Sequence, residues 1–577
     1  MIGDLQDSEA GVQASAPGVR LLIVLLPALV ALLAHPRALG VGWIWDDHAL
    51  VSALGGSDVL GVALGRYLQE YMRPLLMLNL ALEIRSGSPL LTHGVNLALH
   101  AVAALGLGAW LRSEGCSPLA AMAAASLWAS LPVHTEVVLW ACARGDLLVA
   151  VSAVIGLRAV RTRSPGHAVL AGVCALIAAL SLERGLMLAP ALCLRAVWGR
   201  SVRASVPVLV SCGLAMVVWL GLRLAFLEPL PALDYLIEGS SRILLVSSAF
   251  ASAATRSIWP MIPDLAVGVH QVPDTLAAPV LGGIAALSLA LFLVRSRGPV
   301  ALGLALWALL LVPSLHLVPL DVFPLHADRY LYVPWLGAAL AVAAGLDRLG
   351  GSLRRPALLA VGALVLLGSV TSAWRGEIWL DEAHLFATLE QEAEPGNPQP
   401  AYVYGAHLAG LGRCDLAVPR FEEALVVLRA QGRLTNAARI AGRLAACRIH
   451  EDPEAAVLPL RAAAAQTPDE PWFTEQWARA LFAAGRLEEC LQVARRLEEL
   501  HPREPAGPAV QSMASAALLD FEGAITALDR SRALAGASGP SPLRERLVHA
   551  EGIARSARAR GEQRVLQELS EQWSPGP

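Results

Sequence analysis

Long apolar runs separated by short, arginine-bearing connections fill the first two thirds of the chain, and a charged, alanine-rich helical pattern fills the rest. A polar stretch from Met1 to Gly18 leads into Arg20 and an apolar run from Leu21 to Ala34, with no small-residue cleavage site after it, so it reads as a first spanning helix. Further spans are predicted at 93–111, 118–133, 146–160, 168–182, 185–199, 204–226, 279–295, 299–318, 331–349 and 355–374, each near or below the roughly 20 apolar residues a bilayer needs. Arginines cluster in four of the connections, at Arg158, Arg161 and Arg163, at Arg195, Arg200 and Arg203, at Arg295 and Arg297, and at Arg348, Arg354 and Arg355. With the N-terminus inside, all four are cytoplasmic, as the positive-inside rule requires. A crossing at 241–259 would break that pattern, so this segment is expected to be re-entrant or interfacial. About eleven crossings then place the C-terminal third outside, together with the loops that carry Asp46, Glu136, Glu183 and Arg329.

From about Glu377 the pattern turns soluble, with turns near Gly412-Arg413, Glu451-Asp452, Gly485-Arg486 and Asp520-Phe521. A spacing of roughly 35 residues fits helix-turn-helix repeats of the tetratricopeptide (TPR) kind, which stack three or four deep and end in a capping helix, here expected near 541–572. Such arrays hold extended peptides in a concave groove or serve as purely structural stacks. The expected fold is therefore all-α: a cytoplasmic tail at 1–20, a polytopic membrane domain at 21–376 with a first outer loop at 36–92, and a TPR-like α-solenoid at 377–577.

Composition supports this division. The 577 residues are 55% hydrophobic and only 16% charged, too apolar for one soluble domain. A net charge of −3 gives no argument for a nucleic-acid partner. The sequence contains no lysine, which excludes Schiff-base chemistry and leaves any phosphate to guanidinium groups. The eight cysteines, at 116, 142, 174, 193, 212, 414, 447 and 490, show neither metal spacing nor a disulfide framework.

The stretch Gly42-Trp43-Ile44-Trp45-Asp46-Asp47-His48 sets two carboxylates directly after a pair of tryptophans at the outer edge of the first span. Tryptophan prefers the headgroup level and fixes the depth of its neighbours; an ordinary solvated turn is the plain alternative. Further ionisable groups gather at predicted outer ends: Arg73 before Pro74, His93 opening the second span, His134, Glu136, Arg144 and Asp146 in the block Pro132 to Leu148, Glu183 with Arg184, and Arg329 with Tyr330. Each has a structural reading as well. Arg144 and Asp146 can pair with each other or with Glu136, Arg329 with Tyr330 can anchor at the interface, and His93 and His134 can be hydrogen-bonded helix-end residues.

Taken together, Asp46-Asp47, Tyr71-Met72-Arg73-Pro74, His93 to His100, the Pro132-x-His134-Thr135-Glu136 to Arg144-Gly145-Asp146-Leu147-Leu148 block, Leu182-Glu183-Arg184-Gly185 and Asp328-Arg329-Tyr330 resemble the transmembrane, TPR-containing O-mannosyltransferases and their bacterial relatives, within the GT-C glycosyltransferases. The resemblance covers nearly the whole chain. It implies an inverting enzyme of the bacterial inner membrane that passes a sugar from a polyprenyl-phosphate carrier to an acceptor polypeptide on the outer side, with membrane lipid around it and the repeats presenting the acceptor. It implies Asp46 as the catalytic base. Asp47 could share the proton, orient the acceptor or bind a divalent metal ion, and Arg73, Arg144, Arg184 and Arg329 are the phosphate candidates. A non-catalytic membrane scaffold that assembles partners on its repeats is the alternative, and clustering of ionisable groups on one side favours the enzyme.

Overall fold

The computed structural model describes residues 17–55, 72–162, 164–226, 239–262, 277–315, 317, 327–392, 397–430, 434–468, 470–502, 504–535 and 542–573. Tyr71 and Arg163 lie outside the described residues. The described residues are helical, without a β-strand, and divide into two compact units, Met1–Glu394 and Pro395–Pro577. The first unit thus extends past Glu377, where the composition changes, to include a 3-10 turn at Gly376–Trp379 and the helix that follows it.

Its helices are α1 (Pro17–Ala34), α2 (Asp47–Gly55), α3 (Pro74–Ile84), α4 (Pro89–Ser113), α5 (Pro118–Ser130), α6 (Thr135–Leu139), α7 (Arg144–Arg161), α8 (Pro165–Ser181), α9 (Leu188–Val197), α10 (Val202–Phe226), α11 (Gly239–Ile258), α12 (Ala277–Arg295), α13 (Pro299–Leu311), α14 (Trp335–Arg348), α15 (Gly351–Arg375) and α16 (Glu382–Gln391). Proline stands in the first turn of α3, α4, α5, α8 and α13, where its fixed φ suits the helix and its missing N–H costs nothing. Ser117 and Ser164 cap α5 and α8 by accepting from the backbone N–H of Ala120 and His167.

The expectation of eleven crossings is not supported. Among the described residues four helices are long and apolar enough to cross a bilayer, Pro89–Ser113, Val202–Phe226, Ala277–Arg295 and Gly351–Trp379. A fifth crossing is obtained if α5 and Pro132–Leu139, bent by 57° at their junction, count as one. Proline explains three of the missing spans. Pro132 ends the predicted 118–133 span, Pro313 falls in a 3-10 turn closing α13, and Pro334 delays the start of α14, each removing an amide donor from the helical ladder. The 185–199 run is likewise split between a 3-10 turn at Glu183–Met187 and the ten residues of α9. The 241–259 segment is one helix, α11, packed along α12.

The long helices carry apolar side chains outward: Val206, Val210, Leu214 and Val217 on α10, Ile284, Leu287, Leu291 and Val294 on α12, and Leu359, Leu366 and Val370 on α15 are exposed. Contiguous exposed apolar surface of this kind suits lipid better than water. Inside, small residues let backbones meet: a Cβ on Gly303 of α13 would lie 2.6 Å from the Gly337 carbonyl oxygen of α14, and the converse contact is equally short.

The second unit contains α17 (Gln399–Gly410), α18 (Cys414–Ala430), α19 (Leu434–Cys447), α20 (Pro453–Gln466), α21 (Pro471–Ala483), α22 (Leu487–Leu500), α23 (Ala506–Ala517), α24 (Phe521–Leu534), α25 (Pro542–Arg560) and α26 (Gln563–Trp573). Successive helices pack as pairs in a TPR-like array, and all four turns expected from the sequence fall between paired helices. Three of the four share one geometry, the exception being the turn at Glu451-Asp452. Gly412 and Gly485 adopt φ +74°, with Arg413 N–H donating to the Leu408 carbonyl at 2.8 Å and Arg486 N–H to Leu481 at 2.9 Å. At the fourth turn Leu519, φ +61°, takes the place of glycine, and Asp520 N–H donates to Ser515 at 2.8 Å. The lack of disulfide spacing noted in the sequence is corrected here: Cys414 and Cys447 are bonded, with Cα atoms 5.4 Å apart. The helix pair α18 and α19 brings together residues 33 positions apart.

Candidate functional site

The predicted site residues of the first unit fall into two groups, those around the Asp46 loop and those sunk in the interior. Between α1 and α2 the chain makes a 3-10 turn at Pro36–Gly40, runs extended to Ile44 and then turns sharply. Asp47 opens α2 and is buried; its Oδ1 accepts from Cys142 N–H at 3.0 Å and its Oδ2 from Ile44 N–H at 3.4 Å. Burial pushes its pKa up to about 6 against these two donors. Oδ1 therefore fastens the loop to the turn before α7, and Oδ2 closes the loop on itself. Among the described residues no three His, Cys, Asp or Glu side chains are arranged to hold a metal ion.

Asp46 is different. It is exposed, yet enough protein surrounds the carboxyl that burial raises its pKa, while the charges of Arg329 and Arg73 pull it back. Arg329 and Arg73 belong to a set of three arginine–carboxylate pairs. Arg73 bonds Glu183 through Nε at 2.8 Å and Nη2 at 2.8 Å, Arg184 bonds Asp146 at 2.9 Å, and Arg329 bonds Glu136 through both its side chain and its backbone N–H. Tyr330 lies under two of the guanidinium groups, 4.6 Å from Arg184 and 5.1 Å from Arg329, and Arg329 also lies 5.5 Å from the Trp140 ring. For Arg329, burial is the largest single influence and works against the charge, but Glu136, Tyr330 and Asp146 together outweigh it and keep the pKa above its ordinary value.

The other candidates are interior. Arg144 is fully buried and makes four hydrogen bonds: Nε donates to Asn96 at 2.6 Å, Nη1 to Asn79 at 2.6 Å and Glu83 at 2.8 Å, and Nη2 to the Thr92 carbonyl at 2.7 Å. It is removed from the phosphate candidates, and its expected partners, Asp146 or Glu136, are replaced by Glu83. The network pins the Pro132–Ala143 return against α3 and α4, because Asn96 also donates to the Val138 and Trp140 carbonyls at 3.3 and 3.1 Å. His93 is buried under the loop, its Nε2–H donating to the Gly42 carbonyl at 3.0 Å. His134 is buried in a cluster with Trp128, His100 and Tyr332, 4.7 Å from the Tyr332 ring, and contacts no surface a ligand reaches. In that cluster His100 donates from Nε2 to Ala129 O at 3.0 Å and accepts the Tyr332 hydroxyl at Nδ1 at 2.7 Å.

Three contributors escaped the sequence reading. Trp140 stacks on Trp45 with centroids 5.1 Å apart and planes 18° off parallel, although it lay within the quoted block. Glu83 neutralises Arg144. Glu382, on α16, accepts the Trp45 N–H at 2.6 Å across 337 positions of sequence, a distance over which no local pattern could have signalled it.

No protein-family model matches the chain, and no curated protein matches it. Solved structures similar to part of it include MamA 41-end from Desulfovibrio magneticus RS-1, at 19% identity over 27% of this chain and 84% of that one, with a TM-score of 0.24. MamA MSR-1 C2 is similar at 17% identity over 27% and 87%, with a TM-score of 0.23. These likenesses are too distant to argue function. What the architecture itself defines is a helical protein with several membrane-apolar helices followed by a TPR-like repeat unit.

Proposed function

We propose that the chain is a GT-C-type membrane glycosyltransferase that moves a sugar, with mannose the first candidate, from a polyprenyl-phosphate carrier to a Ser or Thr hydroxyl of a polypeptide. The repeats present the acceptor, and the reaction takes place at the outer face of a bacterial cell membrane. The observation that carries this reading is the contrast between the two aspartates: Asp47 is spent on the loop, whereas the Asp46 carboxyl is solvent-reachable within the field of Arg329 and Arg73. In the proposed step the acceptor oxygen bonds to the anomeric carbon as the carbon–phosphate oxygen bond breaks on the opposite face. The proton passes to Asp46 and the pair of electrons leaves with polyprenyl phosphate. Arg329, Arg184 and Arg73 are suited to the leaving phosphate, whose growing charge would compete with their present carboxylates. The Cys414–Cys447 bond supports placing the repeats in an oxidising compartment.

The same ion pairs favour a second reading, a membrane scaffold in which these arginines only tie helices together. Purified full-length protein incubated with radiolabelled polyprenyl-phosphate sugars and a membrane-protein fraction separates the two. Label entering polypeptide in the parent and not in Asp46→Asn supports the enzyme; no transfer by the parent across mannosyl, glucosyl and galactosyl carriers supports the scaffold.

A further inference from the structure

We propose that Glu382 is a positioning residue for Asp46, acting through the backbone of Trp45; the proposal rests on the reading of Asp46 as the base. Trp45 has φ +54°, a left-handed conformation that a bulky side chain rarely adopts. Such residues persist only where their surroundings over-determine them. Here α16 supplies the restraint from one face. Glu382 Oε1 accepts the Trp45 N–H at 2.6 Å, and Phe386, one turn further on, meets the Trp45 ring edge-on at 5.6 Å and 75°. On its other side the ring stacks on Trp140, which in turn lies beside Arg329. The second carboxylate oxygen, Oε2, is 3.2 Å from Nε2 of His48, on the first turn of α2, so one side chain ties together both ends of the Trp45-Asp46-Asp47-His48 turn.

Asp46 follows the left-handed residue directly. Relaxing Trp45 to negative φ would rotate the Asp46 Cα–Cβ bond away from its present direction, whereas Asp47, held by Cys142 and Ile44, would stay. The clamp therefore sets where the exposed carboxylate points relative to Arg329 and Arg73 without touching substrate itself. A misplacement of about 1 Å at a reacting group can cost on the order of 100-fold in rate.

The test uses full-length protein in nanodiscs, with Glu382→Ala, Glu382→Gln and the pair Trp45→Gly with and without Glu382→Ala. Glutamine retains a carbonyl acceptor for the Trp45 N–H, and glycine adopts positive φ without restraint. Two quantities are read: amide exchange of Trp45 by fragment-resolved mass spectrometry, and sugar-transfer kinetics. The expected result is exchange at Trp45 at least tenfold faster in Glu382→Ala and near the parent rate in Glu382→Gln. In parallel kcat should fall by about 10- to 100-fold in Glu382→Ala, with the KM for the carrier unchanged, and recover in Glu382→Gln. In the Trp45→Gly background, Glu382→Ala should have little further effect on kcat. Unchanged exchange in Glu382→Ala overturns the clamp, and faster exchange with unchanged kcat overturns its positioning role. Absence of transfer by the parent protein overturns the proposed function instead, and the exchange comparison still decides whether Glu382 holds the turn.

Discussion

Replacing Arg144 by methionine removes a charge that the interior has been built around. The guanidinium makes four hydrogen bonds of 2.6 to 2.8 Å, and its partners Glu83 and Asn96 and the Thr92 carbonyl are buried with it. Breaking a buried pair by removing one member costs about 3–5 kcal/mol, because the other charge is left without compensation. Against a typical stability of about 5–15 kcal/mol that is about a fifth of the whole or more. Glu83→Leu combined with Arg144→Met removes both charges, so the double variant should lose less than the sum of the singles, by a favourable interaction energy of about 2–3 kcal/mol in a double-mutant cycle. Denaturant unfolding of the full chain in mixed micelles, followed by tryptophan fluorescence, measures all four corners. A loss below about 1 kcal/mol for Arg144→Met, or a double variant that loses the sum of the singles, would refute a buried ion pair as the anchor of the Pro132–Ala143 return.

Further outcomes follow from the site and the repeats. Asp46→Asn should insert and fold as the parent does yet lose about 10²- to 10⁴-fold in transfer rate, since an amide takes no proton; near-parental transfer refutes the base assignment. Arg329→Lys should recover only part of the activity and carrier affinity lost in Arg329→Ala, because an ammonium cannot replace a planar fork bonded to Glu136; carrier binding unchanged in both variants, measured by fluorescence titration, would remove Arg329 from the phosphate site. Asp47, raised from 3.8 to about 6, binds its proton more tightly folded than unfolded, so its contribution to stability is present at low pH and is lost as pH rises between those values, by about 3 kcal/mol in all. Unfolding measured at pH 4 and pH 7 should show that slope in the parent and a flatter one in Asp47→Asn. Cys414→Ser should destabilise the repeat unit by about 3–4 kcal/mol through the 33-position loop that the bond closes, seen as a lower melting transition also produced by reductant in the parent.

The amino-acid sequence by itself determined that the chain is helical, that its first part is apolar enough for a membrane and that its last part repeats every 34 residues or so. These properties are periodic and local: apolar runs, Pro at helix starts, and Gly412 and Gly485 at equivalent turns can be read along a single strand of text. It also singled out Asp46 and Asp47 by their place directly after Trp43 and Trp45. It could not count the crossings, because hydropathy averages over Pro132, Pro313 and Pro334, whose missing donors break the runs in space. Nor could it tell a reachable ion from a sunken one. Arg144 and Arg329 look alike in sequence, but Glu83 and Asn96 reach the first from α3 and α4, whereas the second lies against Tyr330 beside the Asp46 loop. The same limit applies to Trp45 and Glu382, and to Cys414 and Cys447. Which groups satisfy one another across tens or hundreds of positions is decided only when packing brings them together, since burying a charge or bending a backbone is affordable only beside the partner that compensates it.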